Sequence, residues 1–194
     1  MRGPIDADDV EELEATALTD EAHRGAAATL IGWAEEPHAQ DEVPPAGLLN
    51  AAAWHLAATG EGERVLDLHR RAVAAPGDVV PDARCYLHGA LLTAGRLDEA
   101  QRLADEIRRS APKDTDVYLF VAENYELAGD LKQAHRWLTM GAERIERTDR
   151  EDLPANGFGV FTLLRARRRV RGSLGQPVDD LDELVPPVAP LPED

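Results

Sequence analysis

The sequence predicts an all-α fold built from repeated helix hairpins, and three observations carry that expectation. The phrase Gly95-Arg96-Leu97-Asp98-Glu99-Ala100 recurs as Gly129-Asp130-Leu131-Lys132-Gln133-Ala134, with 34 residues separating the glycines and the closing alanines alike. A looser copy, Gly60-Glu61-Gly62-Glu63-Arg64-Val65, starts 35 residues before Gly95. A fixed period of about 34 residues is the length of one helix-turn-helix unit. The composition agrees: 43% of residues are hydrophobic but only 5% aromatic, so Ala and Leu must fill the core. Ala- and Leu-rich charged segments suit closely packed helices.

Each element follows from local signals. Residues 1–6 are expected to fray. Asp6 or Asp8 can cap a short acidic helix reaching about Leu18. Thr19 is an N-cap candidate for a second helix, with Asp20 and Glu21 suiting the dipole, although Ala22 stands where a capping box needs Glu or Gln. That helix runs through Ala26, Leu30 and Trp33 and stops before Pro37. Residues 37–45, with three prolines, read as a connector.

Three hairpins are then expected at 46–59 with 62–75, 81–94 with 97–110, and 114–128 with 131–148. Glycine just past each first helix suits a left-handed C-terminal turn. A degenerate fourth unit starts at Asn156 or Gly157, passes Phe158, Phe161, Leu164 and Val170, and ends near Gly175. A short helix over 179–185 precedes a Pro-rich segment, 186–194, which cannot continue a helix and is expected to be a flexible tail. The predicted organisation is an acidic helical cap and connector at 1–45, a repeat solenoid at 46–175, and a short helix with tail at 176–194.

Charge narrows the function classes. The net charge is -16, from 21 basic and 37 acidic residues. Residues 1–50 carry 2 basic and 12 acidic side chains, a net of -10, so most of the excess is N-terminal. That disfavours nucleic acid and anionic membrane surfaces as partners. It serves solubility as a solvated face, or acts as a lure for a basic partner. The single cysteine, Cys85, fits a reducing compartment. The N-terminus shows no apolar signal core, and no stretch nears the roughly 18 apolar residues of a membrane span. A cytoplasmic location is expected.

On these residues, segment 46–148 resembles three tetratricopeptide repeats. Gly-x-Leu-x-x-Ala at 95–100 and 129–134 is the most diagnostic part, and Pro112 falls where that family usually ends a second helix. Leu87, Leu91, Tyr118, Val121 and Tyr125 fall at its large positions, and Ala100, Ala122 and Ala134 at its small ones. His88, Val65 and the order Ala104 then Ile107 depart from the pattern, and Gly141 replaces the usual Ala. The run Arg136-Trp137-Leu138-Thr139-Met140-Gly141, then an arginine-rich stretch at 163–171, is similar to small actinobacterial tetratricopeptide proteins. Some of those carry a Cys-rich zinc motif, which one cysteine cannot supply. No activity carries over from that group.

The resemblance implies a right-handed solenoid whose first helices line a concave groove. Facing it would be Asn50, Trp54 and Ala57; Cys85, Gly89 and Leu92; Leu119, Glu123 and Glu126; and Thr162, Ala166 and Arg169. Such a groove can hold an extended or helical segment. The carboxylate-gripping version of the family needs Lys, Arg and Asn at several of these positions, and only Asn50 is of that type. This chain is therefore not expected to grip a C-terminal carboxylate.

Arg165, Arg167, Arg168, Arg169 and Arg171 spread over more than one helix face, since each residue turns about 100°. They read as a solvated helix paired with nearby acids, or as a dock for an acidic segment. Cys85 and His88 can share a face, but a metal site needs three or four ligands. No phosphate loop or nucleophile elbow is present in the sequence. The expected function is a protein–protein interaction scaffold, not an enzyme, with no metal or cofactor. Its alternative is a self-associating subunit, for instance a homodimer, or a regulatory subunit of a neighbouring enzyme.

Overall fold

The computed structural model describes residues 2–146 and 158–185. Among them every regular element is an α-helix, with no strand. The chain divides into two compact units, Met1–Ser110 and Ala111–Asp194.

The first unit holds α1 (Ala7–Thr16), α2 (Asp20–Glu35), α3 (Pro45–Ala58), α4 (Gly62–Ala74), α5 (Ala83–Thr93) and α6 (Leu97–Arg109), each packed on the next. Caps explain where they start. The Asp6 carboxylate accepts from the Asp9 N–H at 3.0 Å, and the Asp9 carboxylate accepts from the Asp6 N–H, a complete capping box. The Thr19 hydroxyl accepts from the Ala22 N–H at 3.2 Å. Gly95 follows α5 with φ 70°, and Gly129 closes the matching turn of the second unit with φ 81°, a region open to glycine at little cost. Helix α3 touches α1, α2, α4 and α5. Its composition fits that central place: Leu48, Leu49, Ala52, Ala53 and Leu56 are all buried and form one apolar face about 140° wide.

Arg2 and Ile5 are anchored, which corrects the expectation of fraying over the described part of 1–6. Asp41, in the connector before α3, accepts two bonds from the Arg2 guanidinium at 2.8 and 2.6 Å, one from the Ile5 N–H at 2.9 Å and one from the His38 N–H at 2.7 Å. Those donors, Arg2 foremost, hold the Asp41 carboxyl well below the usual range. Ile5 is buried in one core cluster with Val10 and Leu30.

The second unit holds α7 (Thr115–Leu127), α8 (Leu131–Glu146), α9 (Phe158–Ser173) and α10 (Asp180–Glu183). Helices α7, α8 and α9 touch pairwise, and α10 packs on α9. Tyr118, Val121 and Tyr125 of α7, Trp137 and Leu138 of α8, and Leu163 and Val170 of α9 are buried. Gly141 lets α8 approach closely. A Cβ placed there would lie 2.5 Å from Leu163 Cδ1 and 2.9 Å from Tyr118 Cβ. The expected end of α8 at 148, the expected start of the fourth unit at 156–157 and the Pro-rich 186–194 lie outside the described residues. No helix among the described residues is long and apolar enough to cross a membrane.

Candidate functional site: the groove of the first unit

An open groove of about 870 Å³ lies in the first unit. Helix α3 supplies Asn50, Trp54 and Ala57, α4 supplies Val65 and His69, and α5 supplies Tyr86, Ala90 and Thr93. Val43 and Pro44 before α3, and Val79 and Val80 before α5, complete apolar walls. Trp54 is 55% exposed and Val80 74% exposed. Large apolar side chains left to water on a concave surface mark an interaction site more often than a solvated one.

A polar cluster supports the floor. The Nδ1 of buried His69 lies 2.9 Å from Asn50 Oδ1. An amide oxygen can only accept, so His69 Nδ1 donates. Burial pushes the His69 pKa down to about 4, which keeps the ring neutral at pH 7, and Tyr86 stacks on it at 6.2 Å. Asn50 is 8% exposed, and its Nδ2 is buried without a hydrogen-bond partner. A histidine pair packs against Trp54. His55, fully buried, places Nδ1 2.9 Å from His23 Nδ1, so one ring donates and the other accepts. Burial, helped by His23, lowers the His55 pKa. Both rings meet the Trp54 indole edge-on, at 5.8 and 5.0 Å.

Of the residues expected to face a groove from these helices, Asn50, Trp54 and Ala57 line this one, and Cys85, Gly89 and Leu92 do not. Cys85 is fully buried, and Leu92 packs with Leu66, Leu87, Leu91 and Ala100 between α4, α5 and α6. The face of α5 that meets the groove is Tyr86, Ala90 and Thr93, one residue on from the expected Cys85, Gly89 and Leu92. The reason is packing on several sides. Ala83, Cys85, Leu87, His88 and Leu91 are all buried, and together they turn the remaining stripe by about 100°.

In the second unit Leu119 is half-buried and Thr162 exposed. Arg169 donates to both oxygens of Glu126, with Nη2 2.9 Å from Oε2. Glu123 stands close enough that burial and Glu126 raise its pKa against the opposing pull of Arg169. The structure thus brings Glu123, Glu126 and Arg169 together, and two of them are already paired.

The arginine run divides by register. Arg167, 3% exposed, donates to Asp179 at 2.8 and 2.7 Å and to Asp182 at 2.8 Å. Arg171 adds a 2.8 Å bond to the other oxygen of Asp182. Arg167 and Arg171 thus latch α10 onto α9 within this chain, while Arg165 and Arg168 are exposed. Pairing with nearby acids was expected of this helix, but the burial of Arg167 was not. The available signal for the latch was Asp179-x-x-Asp182, a capping box that places both carboxylates at the start of one helical turn.

Among the described residues no three His, Cys, Asp or Glu side chains converge as a metal site. Cys85 and His88 are both buried, and burial lowers the His88 pKa to about 4.

No protein-family model, curated protein or solved structure matches this chain. What the groove takes is read from its own chemistry.

Proposed function

We propose that this protein is an interaction scaffold that binds a peptide or protein segment in the groove between α3, α4 and α5. The observation that carries the reading is Trp54. It is more than half exposed, yet it is braced by two histidine rings on the wall of an apolar groove. A rigid, partly desolvated aromatic anchor is what interaction hot spots are made of. The 34-residue spacing and the matching hairpins support the narrower reading, a right-handed solenoid of tetratricopeptide type working in the cytoplasm without a cofactor. No chemical step is part of this reading.

The same exposed Trp54 favours one second reading, in which copies of the chain associate through this face. Affinity capture of the tagged protein from its native lysate, beside a Trp54→Glu variant of unchanged helicity, separates the two. A partner kept by the wild type and lost by the variant supports the scaffold. Capture of the same proteins by both forms removes the groove from the account. Sedimentation that shows a wild-type dimer and a variant monomer supports self-association instead.

A further inference from the structure

We propose that the occupant of the α3–α5 groove is a cationic amphipathic segment of another protein, with a large apolar side chain against Trp54 and flanking Lys or Arg opposite Glu14, Glu42 and Asp78. The inference rests on the groove reading above and names the partner chemistry.

The first observation is charge. Glu14 of α1, Glu42 of the connector and Asp78 before α5 all line the groove and all are exposed, and no Lys or Arg among the described residues lines it. None of the three is in an ion pair among the described residues. Some other carboxylates of this unit are matched, Glu61 with Arg24 and Arg64, Glu63 with Arg96, and Glu35 with Arg71, so the three at the groove belong to the unmatched acidic excess of the unit. Around the groove, three carboxylates from separate parts of the chain are left to face an apolar surface. A cation arriving there meets complementary potential, which speeds encounter and sets orientation.

The second observation is Asn50. Its Oδ1 is used by His69 while its buried Nδ2 has no acceptor. A buried donor without an acceptor is costly; this one is closed to solvent, so a carbonyl oxygen in the groove relieves it only if the Asn50 amide turns towards the groove. A peptide supplies that carbonyl together with apolar and basic side chains. The third observation disfavours competitors. A second copy of this chain carries a net charge of -16, and its acidic N-terminal region would meet an acidic rim. Nucleic acid meets the same repulsion.

The test is a selection of displayed random short peptides against the whole protein, followed by fluorescence anisotropy with the selected peptides. The expected pool is rich in Lys and Arg flanking Leu, Ile, Phe or Trp. Its binding weakens with salt and falls about tenfold in the Glu14→Gln, Glu42→Gln, Asp78→Asn triple variant, as three rim pairs of modest strength add. These carboxylates are exposed, so the triple variant keeps the fold. Trp54→Ala loses binding as well.

A pool that is acidic or uncharged, or binding that ignores the triple variant, overturns the cationic assignment; if Trp54→Ala still abolishes it, the groove reading stands without the charge. Binding indifferent to all four substitutions, or no enrichment at all, overturns both.

Discussion

Substituting Arg167 by Met tests whether the arginine helix is a latch or a solvated face. The Arg167 side chain is 4% exposed and that of Asp182 2%. Removing one partner of a buried ion pair costs about 3–5 kcal/mol, because the remaining charge stays desolvated. Two features reduce this here. Asp182 keeps Arg171 at 2.8 Å, and Asp179, at 37% exposure, regains water. The cost expected is therefore about 2–3 kcal/mol, below the range for a fully stranded pair. The control is Arg168→Met, the same change one residue along, where an exposed site moves stability by about 0.5 kcal/mol or less. Hydrogen exchange of residues 176–185 reads the opening of α10 directly, and the difference corresponds to an opening equilibrium on the order of a hundredfold. The latch also has a pH signature. Hydrogen bonding to Arg167, with further support from the Asp182 N–H and Arg171, holds the Asp179 pKa below its ordinary value. Its stabilisation is thus present above the unfolded value of about 4 and is lost as pH falls beneath it. Equal exchange in the Arg167→Met and Arg168→Met variants would refute the latch.

Three further outcomes follow from the packing. Gly141→Ala gains about 1 kcal/mol of helix propensity but overpacks Tyr118 and Leu163 by about 1–3 kcal/mol, so the urea midpoint should fall; a raised midpoint contradicts the close approach of α8. His69 and His88 are held near a pKa of about 4, below the unfolded value of 6.5, so the unfolded chain binds more protons between those values. Stability is then complete above about pH 6.5 and declines towards pH 4, by up to about 3 kcal/mol for each ring. A urea midpoint unchanged between pH 7 and pH 5 counts against their burial. Asp41→Asn should release residues 2–5, seen as faster exchange at the Ile5 and His38 amides with little change in helicity; unchanged protection there would remove Asp41 as the anchor.

What was legible in the sequence was local. Gly95 and Gly129 mark turns because their φ values suit glycine, and Asp6 and Thr19 announce helix starts through bonds spanning three residues. Asn50 and Trp54 lie four residues apart on one face of α3, a spacing legible in the sequence, and both line the groove between α3, α4 and α5. The repeat phase failed at α5. Its burial on several sides turned Tyr86, not Cys85, to the groove, and repeat spacing does not encode how many neighbours a helix has. The Arg2–Asp41 anchor joins residues 39 apart, and the Arg167 latch depends on how α10 folds back. Neither has periodicity to read. Arg167 and Arg168 look alike in sequence, and only their positions around α9 make one a buried partner and the other a surface charge.

The most direct test of the central claim is a hydrogen-exchange footprint of the whole protein with a selected cationic peptide bound. The account predicts added protection at residues 43–57 and 78–94, around Trp54 and Tyr86, and none at 165–171. Protection confined to the arginine helix, or binding that leaves 43–57 and 78–94 unchanged, would contradict it.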